Sequence, residues 1–246
     1  MRTPEIPSDG AYVAWKGWDD ESAFGHLSAG EAAYFRDELK SVIQGRTITK
    51  VLEVGYGNGS FLTYCSQRGW PVVGTELATD LVTAGAGAGF EVYEAAHLGS
   101  FDEEEFDLVV LFDVLEHIPQ ETIVPFLTDL ARISKSDGRI VMRFPNADSW
   151  LGNPLQNGDP THVTAIGYLK MTYFARGAGL SIDSFRGARR RGFAESFAHG
   201  VYSLTFGPAL RLAASVKRLL LFPGLPIDLS SSNVVCVVRK PQQGAT

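Results

Sequence analysis

Cysteine is scarce in this chain of 246 residues, which holds two, Cys65 and Cys236, each within an apolar stretch. No Cys-x-x-Cys or related spacing occurs, so no metal site is expected and the two read as free thiols in a reducing cytoplasm. Long apolar runs are also missing: no stretch of about 18 uncharged apolar residues exists to make a spanning helix. The start, Met1 to Gly10, is polar and contains proline, without the apolar centre of a secretory signal. Positive charge is in deficit, with 22 Lys and Arg against 28 Asp and Glu and a net charge of -6. Broad binding to a phosphate backbone needs clustered cations, so nucleic acid is not an expected partner, although a local basic pocket is allowed. What remains is ordinary for a globular protein in the cytoplasm: 45% hydrophobic and 20% charged residues, enough for one large domain.

Short apolar runs alternate with helix-like segments, the pattern of a parallel sheet covered by helices on both faces. Strands are expected at Lys50–Val54, Pro71–Thr75, Phe90–Tyr93, Asp107–Phe112, Arg139–Phe144, Leu180–Phe185 and Asn233–Arg239. Helices are expected at Ser28–Gln44, Ser60–Arg68, Ala78–Ala88, Gln120–Ser134 and Thr164–Ala178. Ser28 and Glu31 have the spacing of a capping box at the start of the first helix, and Gly138 suits a tight turn before the fifth strand. No internal repeat or low-complexity tract occurs. The stretch 187–232 is too long for an ordinary connection and reads as an insertion on the sheet.

The first strand runs into Gly55-Tyr56-Gly57-Asn58-Gly59 and then a helix. Glycine suits a sharp turn whose backbone must approach a ligand, and the helix start presents unpaired N–H groups to a carboxylate. The order is not that of a dinucleotide turn, because Ser60 stands where G-x-G-x-x-G requires glycine. Two acids frame the turn: Glu53 before it, and Glu76 at the end of the second strand, placed to accept bonds from both hydroxyls of a ribose.

With these residues in view, VLEVGYGNGSFL resembles the first motif of class I methyltransferases, and FDLVVLFDVLEHIP (106–119) resembles their fourth. The resemblance implies an α/β, doubly wound, mostly parallel seven-stranded sheet with an antiparallel last strand and a helical insertion before it. It implies one domain over 1–246, with an aromatic N-terminal segment 1–27, and S-adenosyl-L-methionine as cofactor. Glu53, Gly55, Tyr56, Gly57 and Gly59 would hold its methionine end, with Asp113 and His117 alongside. Glu76 would bind the ribose and Leu77 adjoins it. The family's usual adenine-binding acid is missing; Ala95 or Ala96 occupies that place, which leaves backbone and apolar contacts, with Ala96 as the expected neighbour. The runs AWKGWD, GDPTHVTAIG and LSSSNVVCVVRKP further resemble methyltransferases encoded among bacterial polysaccharide-synthesis genes, which implies a sugar or glycan precursor as acceptor.

Methyl transfer to a hydroxyl needs alignment and a base. His162, in the loop after the fifth strand, is the expected general base because imidazole titrates near neutral pH, and Asp159 is its expected orienting partner. The same residues admit a plainer role: Asp159 or Thr161 capping a helix that begins near Thr164, Asp113 capping a turn, and His117 packing. Tyr12, Trp15 and Trp18 would stack on a sugar, cover the cofactor or pin the terminus. Arg189-Arg190-Arg191 is an anion site or a solvated loop. The amphipathic stretch Val201–Phe222 suits packing over the acceptor, a dimer contact or a peripheral membrane contact, and the oligomeric state stays open. A small phenol or carboxylate, and cofactor binding without transfer, are the rival functional readings.

Overall fold

The computed structural model describes residues 13–18, 23–189 and 206–241. In chain order the elements are α1 (Ala29–Ile43), β1 (Val51–Val54), α2 (Ser60–Gln67), β2 (Val72–Glu76), α3 (Thr79–Gly87), β3 (Glu91–Glu94), β4 (Phe106–Phe112), α4 (Ile123–Ile133), β5 (Ser134–Pro145), α5 (Asn153–Gly158), α6 (Tyr168–Gly177), β6 (Ser181–Gly187), α7 (Phe206–Leu221) and β7 (Asn233–Arg239). The seven strands form one sheet in the order β3-β2-β1-β4-β5-β7-β6. Strands β1 to β5 pair in parallel, whereas β7 is antiparallel to both β5 and β6. The seven-stranded sheet with its antiparallel last strand is therefore as expected.

Strand β4 shows why short apolar runs could be read as parallel strands. Val109 and Leu111 face α4 and α6, packing with Leu127, Leu130 and Phe174. Leu108 and Val110 point the other way, towards Phe35, Leu39 and Phe61 of α1 and α2. Both faces are buried, so apolar residues run on without alternation. Each such side chain contributes about 1.5–3 kcal/mol relative to exposure. Strand β7 repeats the device, with Val234, Cys236 and Val238 on one side and Val235 and Val237 on the other. Burial pushes the thiols of Cys236 and Cys65 up, and both are free.

The chain moves outward from β1 through β2 to β3, then crosses back to lay β4 on the other side of β1. That reversal opens a crevice at the carboxyl ends of β1 and β4, the usual ligand position in such sheets. The connection from β6 to β7 leaves and returns at this same edge, because Asn233 pairs with Pro145 and Val234 with Gly187. Its end is tied to the loop after β5: Asn146 donates through Nδ2 to the carbonyls of Asp228 (2.7 Å) and Ser231 (3.1 Å).

Several local expectations change. The Ser28 capping box is present, Glu31 N–H donating to Ser28 Oγ at 3.2 Å and Ser28 N–H to Glu31 Oε2 at 3.0 Å. Helix α6, however, begins at Tyr168 rather than near Thr164, because Asp148 Oδ2 accepts the Tyr168 N–H at 2.7 Å. Strand β5 reaches back to Ser134, so Gly138 lies within it; a Cβ there would come 2.9 Å from the Lys135 carbonyl. The polar loop after β5 contains the short helix α5. In α7 and just beyond it, Leu210, Leu212, Leu219, Leu220 and Phe222 are exposed. Tyr12, Arg190, Arg191 and 201–205 lie outside the described residues. No helix among the described residues is long and apolar enough to cross a membrane.

At the opposite edge of the sheet Asp107 ties the entries of three strands together. It accepts from Thr49 N (2.8 Å), Thr49 Oγ1 (2.6 Å), Lys50 N (2.9 Å) and Lys135 Nζ (2.8 Å). Partial burial opposes ionisation, yet Lys135 and Thr49 outweigh it and bring its pKa down to about 2. A depressed folded-state pKa means stability that is complete above the unfolded value, near 3.9, and lost as pH falls towards the folded one. Asp107→Asn is expected to lower stability by about 1 kcal/mol at neutral pH, since solvent still reaches the group. Denaturant titrations should show that gap closing as pH falls from about 5 to about 2.5; a gap independent of pH would contradict the charge-based account.

Candidate active site

Strand β1 delivers the glycine turn to the crevice, and each glycine has a local reason. Gly55, Gly57 and Gly59 have φ values of 70°, 52° and 75°, a region side chains other than glycine rarely adopt. A Cβ on Gly55 would stand 2.6 Å from Val114 Cγ2, and one on Gly59 2.6 Å from the Phe24 ring. On Gly57 it would meet Trp18 at 2.9 Å, so the aromatic N-terminal segment lies across the turn. Trp15 remains 57% exposed.

Glu76 lies at the crevice, where Oε2 accepts the Gly57 N–H at 2.9 Å and Oε1 the Leu77 N–H at 2.7 Å. Leu77 beside it is 76% exposed, an unusual position for an apolar side chain. Glu53 is buried beneath the turn, and its Oε2 has no hydrogen-bond partner among the described residues. Burial, with the charge of Glu76 adding to it, pushes the Glu53 carboxyl well above the usual carboxylate range. Tyr56 turns inward: its ring packs where a Gly74 side chain would stand, and its hydroxyl donates to the Leu81 carbonyl at 3.0 Å. It can therefore meet a ligand at the turn only through its backbone. Ala96 is exposed in a 3₁₀ turn at the end of β3.

Asp113, which has φ of 58°, pairs through both carboxylate oxygens with Arg143, one bond being Nε to Oδ1 at 2.8 Å. Arg143 in turn lies over the rings of Phe112 (5.0 Å) and Tyr34 (5.3 Å). Asp113 thus serves β4 and β5 first, and any cofactor contact would be shared with that ion pair.

Directly after it, Glu116 and His117 meet the loop 159–164. The Glu116 carbonyl accepts from Val163 N (2.9 Å) and Thr164 N (3.0 Å), which docks the loop beside it. His162 Nε2 then lies 3.5 Å from Asp159 Oδ2 and 3.9 Å from Glu116 Oε1. The His117 and His162 rings meet edge to face, 4.6 Å between centroids. Asp159 and Thr161 do not cap α6. Asp159 Oδ1 accepts from Thr161 Oγ1 at 2.5 Å, and Lys16 Nζ sits 3.0 Å from Oδ2. Burial opposes ionisation of Asp159, but Thr161 and Lys16 bring its pKa down to about 2. Burial lowers the His117 pKa, with His162 adding to the effect. The expected pair of His162 and Asp159 is thus brought together. Glu116 stands in the sequence with Asp113 and His117 in the segment after the fourth strand but carries no expected role of its own, while nothing in the sequence points to Lys16.

Fold and geometry together give a doubly wound sheet with a glycine turn after β1, a carboxylate at the end of β2 and a cluster of imidazoles and carboxylates after β4. Residues 24–188 match the model of the Methyltransferase domain family. The chain belongs to that family, and it is an S-adenosylmethionine-dependent methyltransferase. A ubiquinone biosynthesis O-methyltransferase of Hydrogenovibrio crunogenus is 24% identical over 189 residues, covering 69% of this chain and 77% of that protein. The structure resembles a SAM-dependent methyltransferase from Archaeoglobus fulgidus, with a TM-score of 0.60, 18% identity and coverage of 85% and 94% of the two chains. It also resembles a TehB-like SAM-dependent methyltransferase from Corynebacterium glutamicum, with a TM-score of 0.56, 19% identity and coverage of 94% and 100%. Two features of the turn suit S-adenosylmethionine: its glycines carry no Cβ of their own, although Val114, Trp18 and Phe24 pack against them, and the buried Glu53 below it has an oxygen without a hydrogen-bond partner among the described residues. If Glu76 binds the ribose, Glu76→Ala should weaken S-adenosylmethionine binding by about 10- to 100-fold, the scale of two unpaired hydroxyls. Calorimetry reads this directly; unchanged affinity would remove Glu76 from the cofactor site.

Proposed function

We propose that this protein transfers a methyl group to a hydroxyl oxygen of a small acceptor seated between the glycine turn and the cluster of Glu116, His117, Asp159 and His162. The observation that carries this reading is the His162 ring. Its Nδ1 lies 3.0 Å from the Leu155 carbonyl, which can only accept, so the neutral ring keeps its proton there and leaves Nε2 as the basic nitrogen. That nitrogen faces two carboxylates, next to the segment whose Val114 touches the turn. A sulfonium methyl is already activated, so the chain need only align the acceptor, exclude water and assist loss of the hydroxyl proton.

The Hydrogenovibrio relative, an O-methyltransferase of ubiquinone biosynthesis, supports oxygen as the methylated atom and a small molecule as the acceptor. The likeness to enzymes of polysaccharide gene clusters supports a sugar hydroxyl in the same place. Trp15, with Lys16 over its ring at 4.9 Å, offers a partly exposed aromatic face suited to a sugar or a phenol. The comparisons favour the small molecule, and nothing in them supports a polysaccharide.

With radiolabelled methyl donor, a panel of catechols, phenols and nucleotide sugars should yield an O-methylated product. His162→Ala should bind S-adenosylmethionine normally and turn over about 10²- to 10⁴-fold more slowly, the usual contribution of a positioned proton acceptor. Full activity in that variant, or methyl found on nitrogen or carbon, would overturn the proposal.

A further inference from the structure

We infer that Glu116, His117 and His162 form a binding site for a divalent cation of the manganese-to-zinc series, at the acceptor end of the crevice. One ligand atom from each of these residues lies within 4.8 Å of the others. Ligands bound at about 2.1 Å to one ion stand at most about 4.2 Å apart, so a shift of less than about 1 Å would close the set. Asp159 Oδ2, 3.5 Å from His162 Nε2 and paired with Lys16 Nζ at 3.0 Å, is a further oxygen beside these three atoms.

The second observation is independent of that spacing. Glu116 is fully buried, and neither of its carboxylate oxygens has a hydrogen-bond partner among the described residues. A buried carboxylate without partners is costly and calls for a cation or a proton. Protonation would remove the charge but would leave the new O–H unbonded to His162, whose Nε2 is 3.9 Å away. An ion among these atoms would reach several of them together.

The surroundings are those of ligands held from behind. His162 Nδ1 is bonded to the Leu155 carbonyl, turning Nε2 towards Glu116. Thr161 Oγ1 lies 2.9 Å from His117 Nδ1 and fixes that ring. Such outer contacts orient metal ligands in general. Two imidazoles with one or two carboxylates favour first-row transition cations over magnesium or calcium, which prefer oxygen alone.

The site itself does not depend on the O-methylation reading, but its use does. A hydroxyl coordinated to such a cation loses its proton more readily. The acceptor O–H bond would break with its proton passing to solvent, an O–CH₃ bond would form, and the sulfonium S–CH₃ bond would break to leave a neutral thioether. His162 would then serve as a ligand more than as the proton acceptor.

The test uses protein stripped with a chelator and titrated with Co²⁺, read by visible absorption, and with Mn²⁺ and Zn²⁺, read by calorimetry. One equivalent is expected to bind, with affinity reduced about 10- to 100-fold or more in Glu116→Gln and in His162→Ala. S-adenosylmethionine binding checks that each variant is folded, and either variant alone suffices. Absence of saturable binding, or binding untouched by both substitutions, overturns the site. Full-rate O-methylation by the stripped enzyme overturns its use while leaving the acceptor reading intact. Stoichiometric binding without transfer to any hydroxyl supports the site and defeats the acceptor reading instead.

Discussion

The contact between Val114 and Gly55 governs how the two halves of the site meet. Strands β1 and β4 are parallel neighbours, so the loops leaving them emerge side by side at one edge. A Cβ on Gly55 would overlap the Val114 methyl, so only a bare backbone lets the second loop settle against the first. Everything downstream of Val114 inherits its place from that approach: Glu116 and His117 within the same turn, and through the Glu116 carbonyl the loop that carries Asp159 and His162. The cluster is thus held beside the glycine turn by the 3₁₀ turn Leu115–His117 and by bonds from the loop after β5, among them Thr164 Oγ1 to the Ile118 carbonyl at 2.7 Å.

The N-terminal segment spans the same gap from the other side. Trp18 rests on Gly57 of the donor half, and Lys16, two residues earlier, pairs with Asp159 of the acceptor half. Trp18 therefore covers the turn, while Trp15 stays exposed. Lys16 also supplies positive charge to a cluster otherwise made of carboxylates and imidazoles, which keeps Asp159 ionised while the more deeply buried Glu116 is pushed the other way by burial and by the charge of Asp113.

The sheet could be read from the chain because burial on both faces leaves unbroken apolar runs, as in Val51-Leu52 and Leu108–Leu111, and because each turn carries its own punctuation. The Ser28 cap was legible for the same reason: both partners lie within four residues. The start of α6 was not, because its cap is Asp148, twenty residues upstream, and nothing local distinguishes Thr164 from Tyr168. Asp113 looked available for ligand contact because its partner, Arg143, stands thirty residues further on. The cluster itself joins Lys16, Glu116 and His162 from three distant segments. Its pieces could be named singly, as His162 and Asp159 were, but their convergence is a property of the topology.

Around Glu116 several orienting bonds lie on the far side of the groups they hold, Asp159 also meeting Lys16 on the near side. The Glu116 backbone is held by Val163 and Thr164, His162 by the Leu155 carbonyl, and Asp159 by Thr161, while the near sides converge. The glycine turn follows the opposite polarity by the same method, presenting backbone N–H groups, of which the Gly57 one already meets a carboxylate. A fully buried carboxylate without a hydrogen-bond partner among the described residues costs stability, and such exceptions to polar satisfaction concentrate where a ligand completes the set. One half of the crevice therefore presents backbone N–H groups, and the other a buried carboxylate whose cost a positive charge would relieve.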